Sequence, residues 1–273
     1  MKTKNFEQLR VISDSLRFKI IENSHKSKTP HLGSCLSCID TLVVLYWNIL
    51  NIDPKKPFSP ERDRFILSKG HAAPALFFTL GEKGFFNKSN LDEYGKDGSF
   101  FGEHPPAPKY LPGIEAATGS LGHGLPMGVG MALAKKVLNT KFDVFVIISD
   151  GECNEGSIWE SAMFAAAKGI DNITVIVDYN KWQATGRSAD TLFLEPLADK
   201  WRAFGWHTCE VNGHEFFELA SALEAGKKKQ KPSVIIAHTI KGKGVSFMED
   251  DNNWHYRIPT SEEVELARKE LGI

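Results

Sequence analysis

Oxygen-bearing side chains follow two apolar runs of the chain that are predicted strands. Asp150 comes shortly after the run 144–148, and Asn180 comes shortly after the run 173–177. If these runs are neighbouring strands of a parallel sheet, the Asp150 carboxylate and the Asn180 carbonyl oxygen meet at one sheet edge, where such sheets bind ligands. Mg²⁺ accepts a small set of protein oxygens because phosphate and water complete its octahedron. These residue types therefore predict a magnesium site beside a phosphorylated ligand.

The backbone near Asp150 is suited to bind the phosphates of that ligand. Gly151 has no side chain, so a diphosphate can approach the main chain closely. A helix is predicted to begin near Ser157, and its first N–H groups and its dipole favour an anion. Because the formal net charge of the chain is −1, local groups of this kind must hold the phosphates.

The elements that must position these residues are strands that alternate with helices. The strands are predicted at 65–67, 144–148, 173–177, 207–211 and 234–237, and the helices at 5–24, 39–49, 72–80, 129–138, 157–168, 194–204 and 216–225. Fully apolar strands that alternate with helices are typical of a parallel sheet covered on both faces. We therefore predict an α/β fold, a doubly wound and mainly parallel sheet flanked by helices, formed by residues 1–273 as a single domain.

The composition limits the classes of function. The chain has 273 residues, of which 42% are hydrophobic and 25% charged, with a net charge of −1, so there is no electrostatic case for binding nucleic acid. Residues 1–5 are polar, and no apolar segment of a signal peptide follows them. No uninterrupted apolar stretch approaches the ~18 residues of a membrane span. These features predict a cytoplasmic protein that does not bind membranes.

The four cysteines include one CxxC pair, Cys35 and Cys38. A zinc site would need a second pair or histidines at ligand spacing; His31, four residues before Cys35, leaves a metal or redox site open as an alternative. The pair lies in a run of small residues that enters an apolar, helix-like segment. We therefore expect both thiols to pack as small hydrophobic groups.

Two glycine-rich segments lie outside the predicted helices and strands. Residues 95–126 lack periodicity, and an irregular stretch of that length inside a domain is usually functional or disordered; its glycines and histidines favour function. Lys241 begins the run Lys-Gly-Lys-Gly, which lacks the spacing of a P-loop. We interpret this run as a loop at the edge of the active site and count Lys241 among the cofactor contacts.

The polar segments after the two strands resemble the signature of thiamine-diphosphate enzymes. In that Gly-Asp-Gly…Asn-Asn signature, the first three residues are matched by Ser149, Asp150 and Gly151, and the last by Asn180, with the spacing kept. Ser149 replaces the first Gly of the signature and Tyr179 replaces its first Asn, and neither position is a metal ligand in the family. The resemblance implies thiamine diphosphate and Mg²⁺ as cofactors, with Ca²⁺ or Mn²⁺ as substitutes. It also implies Asp150, Asn180 and the backbone carbonyl of Trp182 as metal ligands.

The histidines are similar to those of transketolases, and they narrow the resemblance to that family. The matching segments contain His31, His71, His104, His123 and His255. His123 stands where a Gln is more common, and His31 lies in Thr-Pro-His-Leu-Gly where transketolases have Gly-His-Pro-Gly-Gly. Because the segment around His31 differs from the family pattern, the substrate can be a sugar other than the common pentose phosphates.

The resemblance implies roles for these side chains. His31 and His104 would transfer protons or form hydrogen bonds at the substrate hydroxyls, and His71 and His255 would steady the diphosphate and the developing charge. The further cofactor contacts are expected from Gly119, Ser120, Leu121, His123, Gly151, Glu152, Glu155, Asn180 and Lys241. The histidines expected to be structural or on the surface are His25, His207, His214 and His238.

The resemblance covers one of the two α/β domains between which the cofactor of this family lies. About 90 residues follow Asn180, too few for a second sheet of the same size. We therefore predict an N-terminal transketolase subunit that passes a two-carbon ketol unit from a ketose to an aldose, which are sugars or sugar phosphates. A C-terminal transketolase subunit, the pyrimidine-binding domain, would supply the activating glutamate in an α2β2 assembly. The alternatives are an enzyme similar to 1-deoxyxylulose-5-phosphate synthase and a non-catalytic regulatory subunit.

Overall fold

The structure is built on one five-stranded sheet in which every strand is parallel to its neighbours. The computed structural model describes residues 5–273, with the side chain of Lys136 left aside; residues 1–4 of the polar start, on which the predicted absence of a signal peptide rests, lie outside the described residues. The strands are β1 (Arg64–Leu67), β2 (Val144–Ser149), β3 (Ile173–Tyr179), β4 (His207–Asn212) and β5 (Ser233–His238). Their order across the sheet is β1-β2-β3-β5-β4. The predicted parallel α/β fold is confirmed.

Helices cover both faces of this sheet. They are α1 (Phe6–Ser27), α2 (Leu32–Val44), α3 (Ala73–Lys83), α4 (Gly124–Leu138), α5 (Gly156–Ala167), α6 (Ser188–Thr191), α7 (Leu197–Ala203), α8 (Phe216–Lys227) and α9 (Ser261–Glu270). Because successive side chains of a strand point to opposite faces, Phe145 and Ile147 pack with α1, α2, α3, α8 and α9. Val144 and Val146 pack with α4, α5 and α7 on the other face.

The register of the central strands brings the ends of β1, β2 and β3 to one edge. Ser149 lies opposite Asp178, so the polar residues that follow β2 and β3 begin side by side. Leu67, the last residue of β1, lies opposite Ile147. The neighbouring positions predicted for the Asp150 and Asn180 segments are therefore confirmed, and the segment after β1 joins them.

Helix α2 is the central helix of one layer, and all of its residues are buried. Together with the π-helical turn that follows it, it forms a segment, Leu32–Ile49, that is long and apolar enough to cross a membrane, although 83% of that segment is buried inside the fold. Cys35 and Cys38 lie in this helix as buried free thiols, and burial raises the pKa of each to about 12. The predicted packing role is confirmed. No group of three or more His, Cys, Asp or Glu side chains within residues 5–273 is arranged to hold a metal ion.

Several predicted boundaries differ from the structure. Helix α2 begins at Leu32 and not at residue 39, and α4 begins at Gly124 and not at residue 129. Helix α9 is absent from the predicted helices, although Thr260 and Glu263 form a complete capping box at its start, which is a readable signal. The expectation that every strand is buried on both faces is wrong for β4. This strand lies at the sheet edge, and all of its residues are partly or fully exposed.

Candidate functional site

A cavity of about 380 Å³ lies beyond the carboxyl ends of β1, β2 and β3. Parallel sheets bind ligands at this edge because the loops that leave neighbouring strands meet there. The predicted site residues that line the cavity are His31, His71, Gly119, Leu121, Gly151, Glu155, Asn180, Trp182 and His255. Residues that are far apart in the sequence are therefore brought to one place.

Three histidines form a cluster on one wall of the cavity. The ring centroids of His31 and His255 are 5.0 Å apart, those of His31 and His71 are 5.4 Å apart, and those of His71 and His255 are 5.7 Å apart. His31 stands before the first turn of α2 with a φ of +75°, and its backbone N–H donates to the carbonyl oxygen of His255 at 2.8 Å. This bond ties the start of α2 to the segment that carries His255.

Burial keeps these imidazoles neutral. It lowers the pKa of His31 to about 4, with the charges of His104 and Lys241 acting in the same direction. Burial, followed by the charge of Lys241, lowers the pKa of His255 to about 3. Burial also places the pKa of His71 well below its usual value. Neutral imidazoles can both donate and accept hydrogen bonds.

His104 and Lys241 lie next to this cluster without lining the cavity itself. A Cβ added at Gly119 would meet the ring of His104 at 3.0 Å, so that glycine allows the exposed imidazole to lie close to the loop. Lys241 is almost fully buried, and its Nζ is 3.1 Å from Nδ1 of His255 and 2.6 Å from Oδ1 of Asn252. Burial lowers the pKa of Lys241 to about 8. Lys241 therefore contacts the cavity indirectly, through His255.

The predicted metal ligands lie at the neighbouring ends of β2 and β3. The Asp150 carboxylate is buried and accepts hydrogen bonds from the Gly151 N–H at 2.9 Å and from the Ser188 hydroxyl at 2.8 Å. Burial raises the pKa of Asp150 to about 6, and the charge of Asp178 acts in the same direction. A bound cation would offset this cost of burial. One carboxylate with amide and backbone oxygens is a donor set suited to Mg²⁺.

Two polar side chains of the cavity wall have an atom with no hydrogen-bond partner. Gln183 Nε2 and Asn154 Oδ1 are both buried without a partner, and both residues line the cavity. A Cβ added at Gly151 would meet Cγ of Gln183 at 2.9 Å, so the absence of a side chain there keeps the backbone close to Gln183. Because buried polar atoms in folded proteins are nearly always paired, the free amide donor of Gln183 fits an anionic ligand such as a diphosphate.

A buried ion pair between Lys69 and Asp178 lies under the cavity. The side chains are 0% and 2% exposed, and the nearby ammonium of Lys69 keeps the pKa of Asp178 below its usual value although burial acts against this. Asp178 also accepts hydrogen bonds from Ser37 at 2.6 Å, from Thr239 at 2.5 Å and from the Asn180 amide at 3.1 Å. This last bond orients Asn180 so that its Oδ1 faces away from Asp178, and that oxygen accepts from the Trp182 N–H at 3.0 Å.

The sequence motifs contain Lys69, Asp178 and Gln183, but sequence reasoning assigns these residues no role. The available signal is their position: polar residues at or directly after the ends of apolar strands. The pairing of Lys69 with Asp178 joins the ends of β1 and β3, which are not adjacent in the sheet.

Glu152 is expected to contact the cofactor, but its side chain does not line the cavity. Its carboxylate is fully buried and accepts hydrogen bonds from the Ser68 hydroxyl, from the Gly122 N–H at 2.8 Å and from the Ser149 N–H at 3.3 Å. The cause is that its 3-10 turn after β2 points the side chain into the fold. Glu152 therefore fixes the positions of three segments around the site.

Ser120 and His123 are exposed on the loop that leads to α4. Nδ1 of His123 lies 3.1 Å from the carbonyl oxygen of Leu121, and neither residue lines the cavity of this chain. Their predicted contact with the cofactor stays a prediction.

Three of the histidines expected to be structural have partners outside the cavity. Nδ1 of His25 lies 2.7 Å from the Pro259 carbonyl oxygen, and Nε2 of His238 lies 2.9 Å from Glu210. Nδ1 of His214 lies 2.8 Å from Asp40. The structural interpretation of these three histidines agrees with their contacts.

Comparison with known proteins gives one consistent family. Residues 9–273 match the family model described as "Transketolase, thiamine diphosphate binding domain". The chain is 41% identical to an apulose-4-phosphate transketolase subunit of Phocaeicola vulgatus, over 97% of this chain and 94% of that protein. It is 43% identical to a 6-deoxy-6-sulfo-D-fructose transketolase subunit of a Clostridium species, over 94% of this chain and 93% of that protein. The crystal structure of transketolase from Campylobacter jejuni superposes with a TM-score of 0.93 at 30% identity, covering 99% of this chain and 43% of that one.

Proposed function

The chain belongs to the transketolase family through its thiamine-diphosphate-binding domain, and we propose that it is the diphosphate-binding subunit of a two-component transketolase. The proposed reaction transfers a two-carbon ketol unit from a ketose to an aldose. The observation that supports it best is the convergence of Asn180 and the cluster of His31, His71 and His255 on one cavity. The buried Asp150 carboxylate lies next to this cavity and accepts from the N–H of Gly151, which lines it. The relatives described above are transketolase subunits, which favours this function over the synthase alternative.

Asp150, Asn180 and the Trp182 carbonyl would hold Mg²⁺, or Ca²⁺ or Mn²⁺ in its place. The fully buried Asp150 carboxylate, whose burial disfavours its charge, and the free donor of Gln183 fit a cation bound together with a diphosphate. When bound, thiamine diphosphate supplies the carbanion chemistry of the reaction. The side chains of this chain orient the reactants, donate hydrogen bonds and move protons.

Lys241 sets the orientation of the proton on His255. At pH 7, below the pKa of about 8 of Lys241, its ammonium group can only donate, so Nδ1 of His255 accepts at 3.1 Å. Nε2 of His255 then carries the proton and acts as a donor. We assign His71 and His255 to hydrogen bonds with the diphosphate and the developing charge. His31 and His104 would move protons at the substrate hydroxyls, for which a neutral imidazole is suited.

The partner in this proposal is a C-terminal transketolase subunit that carries the pyrimidine-binding domain, in an α2β2 assembly. Two relatives that are named as subunits of an apulose-4-phosphate transketolase match this chain over 94% and 97% of their own lengths, which supports a division of the enzyme between two chains. The exposed positions of Ser120, His123 and Glu155 beside the cavity leave them available to a second chain. The cytoplasmic location stays a prediction.

The substrates are proposed to be sugars that carry an anionic group. The names of the two relatives refer to a sugar phosphate and to a sulfonated sugar. The unusual backbone at His31, with its φ of +75°, occurs where the sequence departs from the common transketolase pattern. This departure supports a sugar other than the common pentose phosphates.

The test is ketol transfer by the chain co-purified with its partner subunit, in the presence of Mg²⁺, thiamine diphosphate and a panel of ketose phosphate, sulfonated ketose and aldose substrates. Turnover that requires both chains supports the proposal. Cofactor binding without turnover of any sugar in the panel would point to the non-catalytic alternative. The absence of Mg²⁺-dependent cofactor binding would overturn the proposed site.

The variant Asp150→Asn separates metal binding from folding. Substitution of a residue that supports a metal ligand typically lowers metal affinity roughly 10- to 100-fold. Because Asp150 is itself a proposed ligand, we expect a larger loss of Mg²⁺-dependent cofactor affinity, measured by calorimetry on the complex. Because burial disfavours the charge of Asp150, the metal-free chain should be no less stable with Asn at this position. The control is Asp199→Asn, which changes an exposed carboxylate paired with Arg202 and should leave cofactor affinity unchanged.

A further inference from the structure

Residues 181–188 form a hairpin at the edge of the cavity, and no strand or long helix holds this hairpin in place. Trp182, Gln183, Ala184 and Thr185 line the cavity, and Ser188 donates to the Asp150 carboxylate at 2.8 Å. Inside the hairpin, the Gln183 N–H donates to the Gly186 carbonyl at 2.8 Å and the Ser188 N–H to the Lys181 carbonyl at 3.0 Å. The orientation of this hairpin therefore decides where several cavity-lining groups lie.

The hairpin begins in a backbone conformation that L-residues rarely adopt. Lys181 has a φ of +69°, and Asp250, on the facing segment, has a φ of +58°. Left-handed conformations at non-glycine residues carry a cost and persist only where the surroundings hold them. The contacts around each of these residues must therefore hold it in place, and the two segments contact each other.

Trp182, Arg187 and Asp250 make those contacts, and we call them the clasp. Arg187 donates to both oxygens of Asp250 at 2.7 and 2.6 Å, and its guanidinium lies 3.7 Å from the centre of the Trp182 ring. The Trp182 indole N–H also donates to Asp250, at 2.8 Å. A surface ion pair contributes little in isolation, but a bidentate Arg–carboxylate pair stacked on an aromatic ring is the favourable exception.

A second set of contacts connects the same two segments to the histidine cluster. The Asn252 amide donates to the Ala184 carbonyl at 3.1 Å, and Oδ1 of Asn252 accepts from Lys241 at 2.6 Å. The ammonium of Lys241 is also 3.1 Å from Nδ1 of His255, and the Asp250 N–H donates to the Lys241 carbonyl at 2.8 Å. The hairpin, Lys241 and His255 are thus held in one arrangement.

We propose that the clasp holds the hairpin 181–188 against the segment that carries His255, and that Arg187 and Asp250 are positioning residues for cofactor binding. They act through the hairpin, which presents the Trp182 carbonyl, Gln183 and Ser188, and through Lys241, which presents His255. This inference rests on the proposed cofactor site, and the experiment below separates failure of one from failure of the other.

The test compares the wild-type complex with Arg187→Met, Asp250→Asn and the double variant, with thiamine diphosphate and Mg²⁺ as the titrated probes. We expect cofactor affinity to fall about tenfold in each single variant, with the double variant no weaker than the worse single one, because both remove the same contact. Arg187→Lys keeps the positive charge but loses the bidentate hydrogen bonds to Asp250 and the stacking on Trp182, so its cofactor affinity should also be lower than that of the wild type. The control is Arg202→Met, which breaks the exposed Arg202–Asp199 pair away from the cavity and should change affinity less than twofold.

A second readout needs no cofactor. Hydrogen exchange of the Gln183 and Ser188 amides, which close the hairpin, should be faster in Arg187→Met than in the wild type and unchanged in Arg202→Met. Equal exchange and equal cofactor affinity in wild type and clasp variants would overturn the positioning role. If the wild-type complex itself binds no cofactor, the proposed function fails, while the exchange measurement still decides whether the clasp orders the hairpin.

Discussion

The floor and the rim of the cavity hold their functional groups in different ways. The floor is the buried network of Ser37, Lys69, Asp178, Asn180 and Thr239, whose members lie at strand ends or in α2. The rim is the hairpin 181–188 together with residues 250–256, which contact each other mainly through side chains. Strand register places the floor, whereas the rim depends on a few exposed contacts. Changes in the floor should therefore affect folding first, and changes in the rim should affect ligand binding first.

The largest expected effect is in the floor, for the variant Lys69→Met. It removes the cation from Asp178, which remains buried at 2% exposure, and an uncompensated buried charge typically costs 3–5 kcal/mol, so we expect a loss of about that size in the free energy of unfolding. The measurement is urea-induced unfolding of the chain. If unfolding shows only a small loss, while cofactor affinity falls strongly, the floor behaves like the rim and the distinction is wrong.

The matched control for Lys69→Met is Lys88→Met. Lys88 also forms an ion pair, with Glu82 at 2.6 Å, but its side chain is 57% exposed. Exposed pairs contribute about 0–1 kcal/mol, so this variant should unfold nearly as the wild type does. The double variant Lys69→Met/Asp178→Asn should recover part of the loss, because the uncompensated charge is then absent.

The same division explains which parts of the site could be predicted from the sequence. Asp150 and Asn180 follow apolar strands, so their position at one edge is a consequence of strand order, and the structure has them there. The pairing of Lys69 with Asp178 could not be predicted because it depends on which strands lie near each other. The sequence pattern indicates that β5 is a strand, but not that it inserts between β3 and β4.

The rim was less predictable than the floor. Its shape depends on left-handed backbone at Lys181 and Asp250, and neither residue type signals such a conformation as a glycine would. The clasp then requires Arg187 and Asp250 to meet across the cavity edge. No local period or motif encodes that contact, although the sequence segment around His255, on the same rim, resembles a family motif.

An intermediate effect is expected where the floor meets the long loop before α4. Gly70 follows β1, and a Cβ there would lie 2.7 Å from the backbone of Thr118 and Gly119, so Gly70→Ala must push that loop away. We expect a loss of about 1–3 kcal/mol in the free energy of unfolding, as for other overpacked positions. Cofactor affinity should fall as well, because Gly119 and Leu121 line the cavity.

The control for Gly70→Ala is Gly130→Ala. Gly130 lies in α4, and an added Cβ would meet nothing within 4 Å. Alanine has the higher helix propensity, so this variant should gain up to about 1 kcal/mol. Both variants are measured by unfolding and by cofactor titration. If Gly70→Ala and Gly130→Ala gave the same small change in stability and in cofactor affinity, the expectation would be wrong.

The smallest expected effect belongs to the rim and depends on pH. The pKa of His255 is about 3 in the folded chain, below the value of about 6.5 in the unfolded chain, so the unfolded state binds more protons between these values. Stability is therefore fully present above pH 6.5 and falls as the pH drops towards 3. After allowance for solvent screening, we expect His255 to account for on the order of 1 kcal/mol between pH 7 and pH 5.

Urea unfolding of wild type and His255→Asn at pH 7 and pH 5 measures this contribution, because the difference between the two proteins cancels the other titrating groups. The variant should lose less stability on acidification than the wild type does. Asn252→Ala is the control, since it removes a neighbouring contact of Lys241 without removing a titrating group and should change stability equally at both pH values. If wild type and His255→Asn respond equally to acid, the rim does not hold His255 neutral. The pKa of His255 in the folded chain would then lie near the ordinary value of about 6.5.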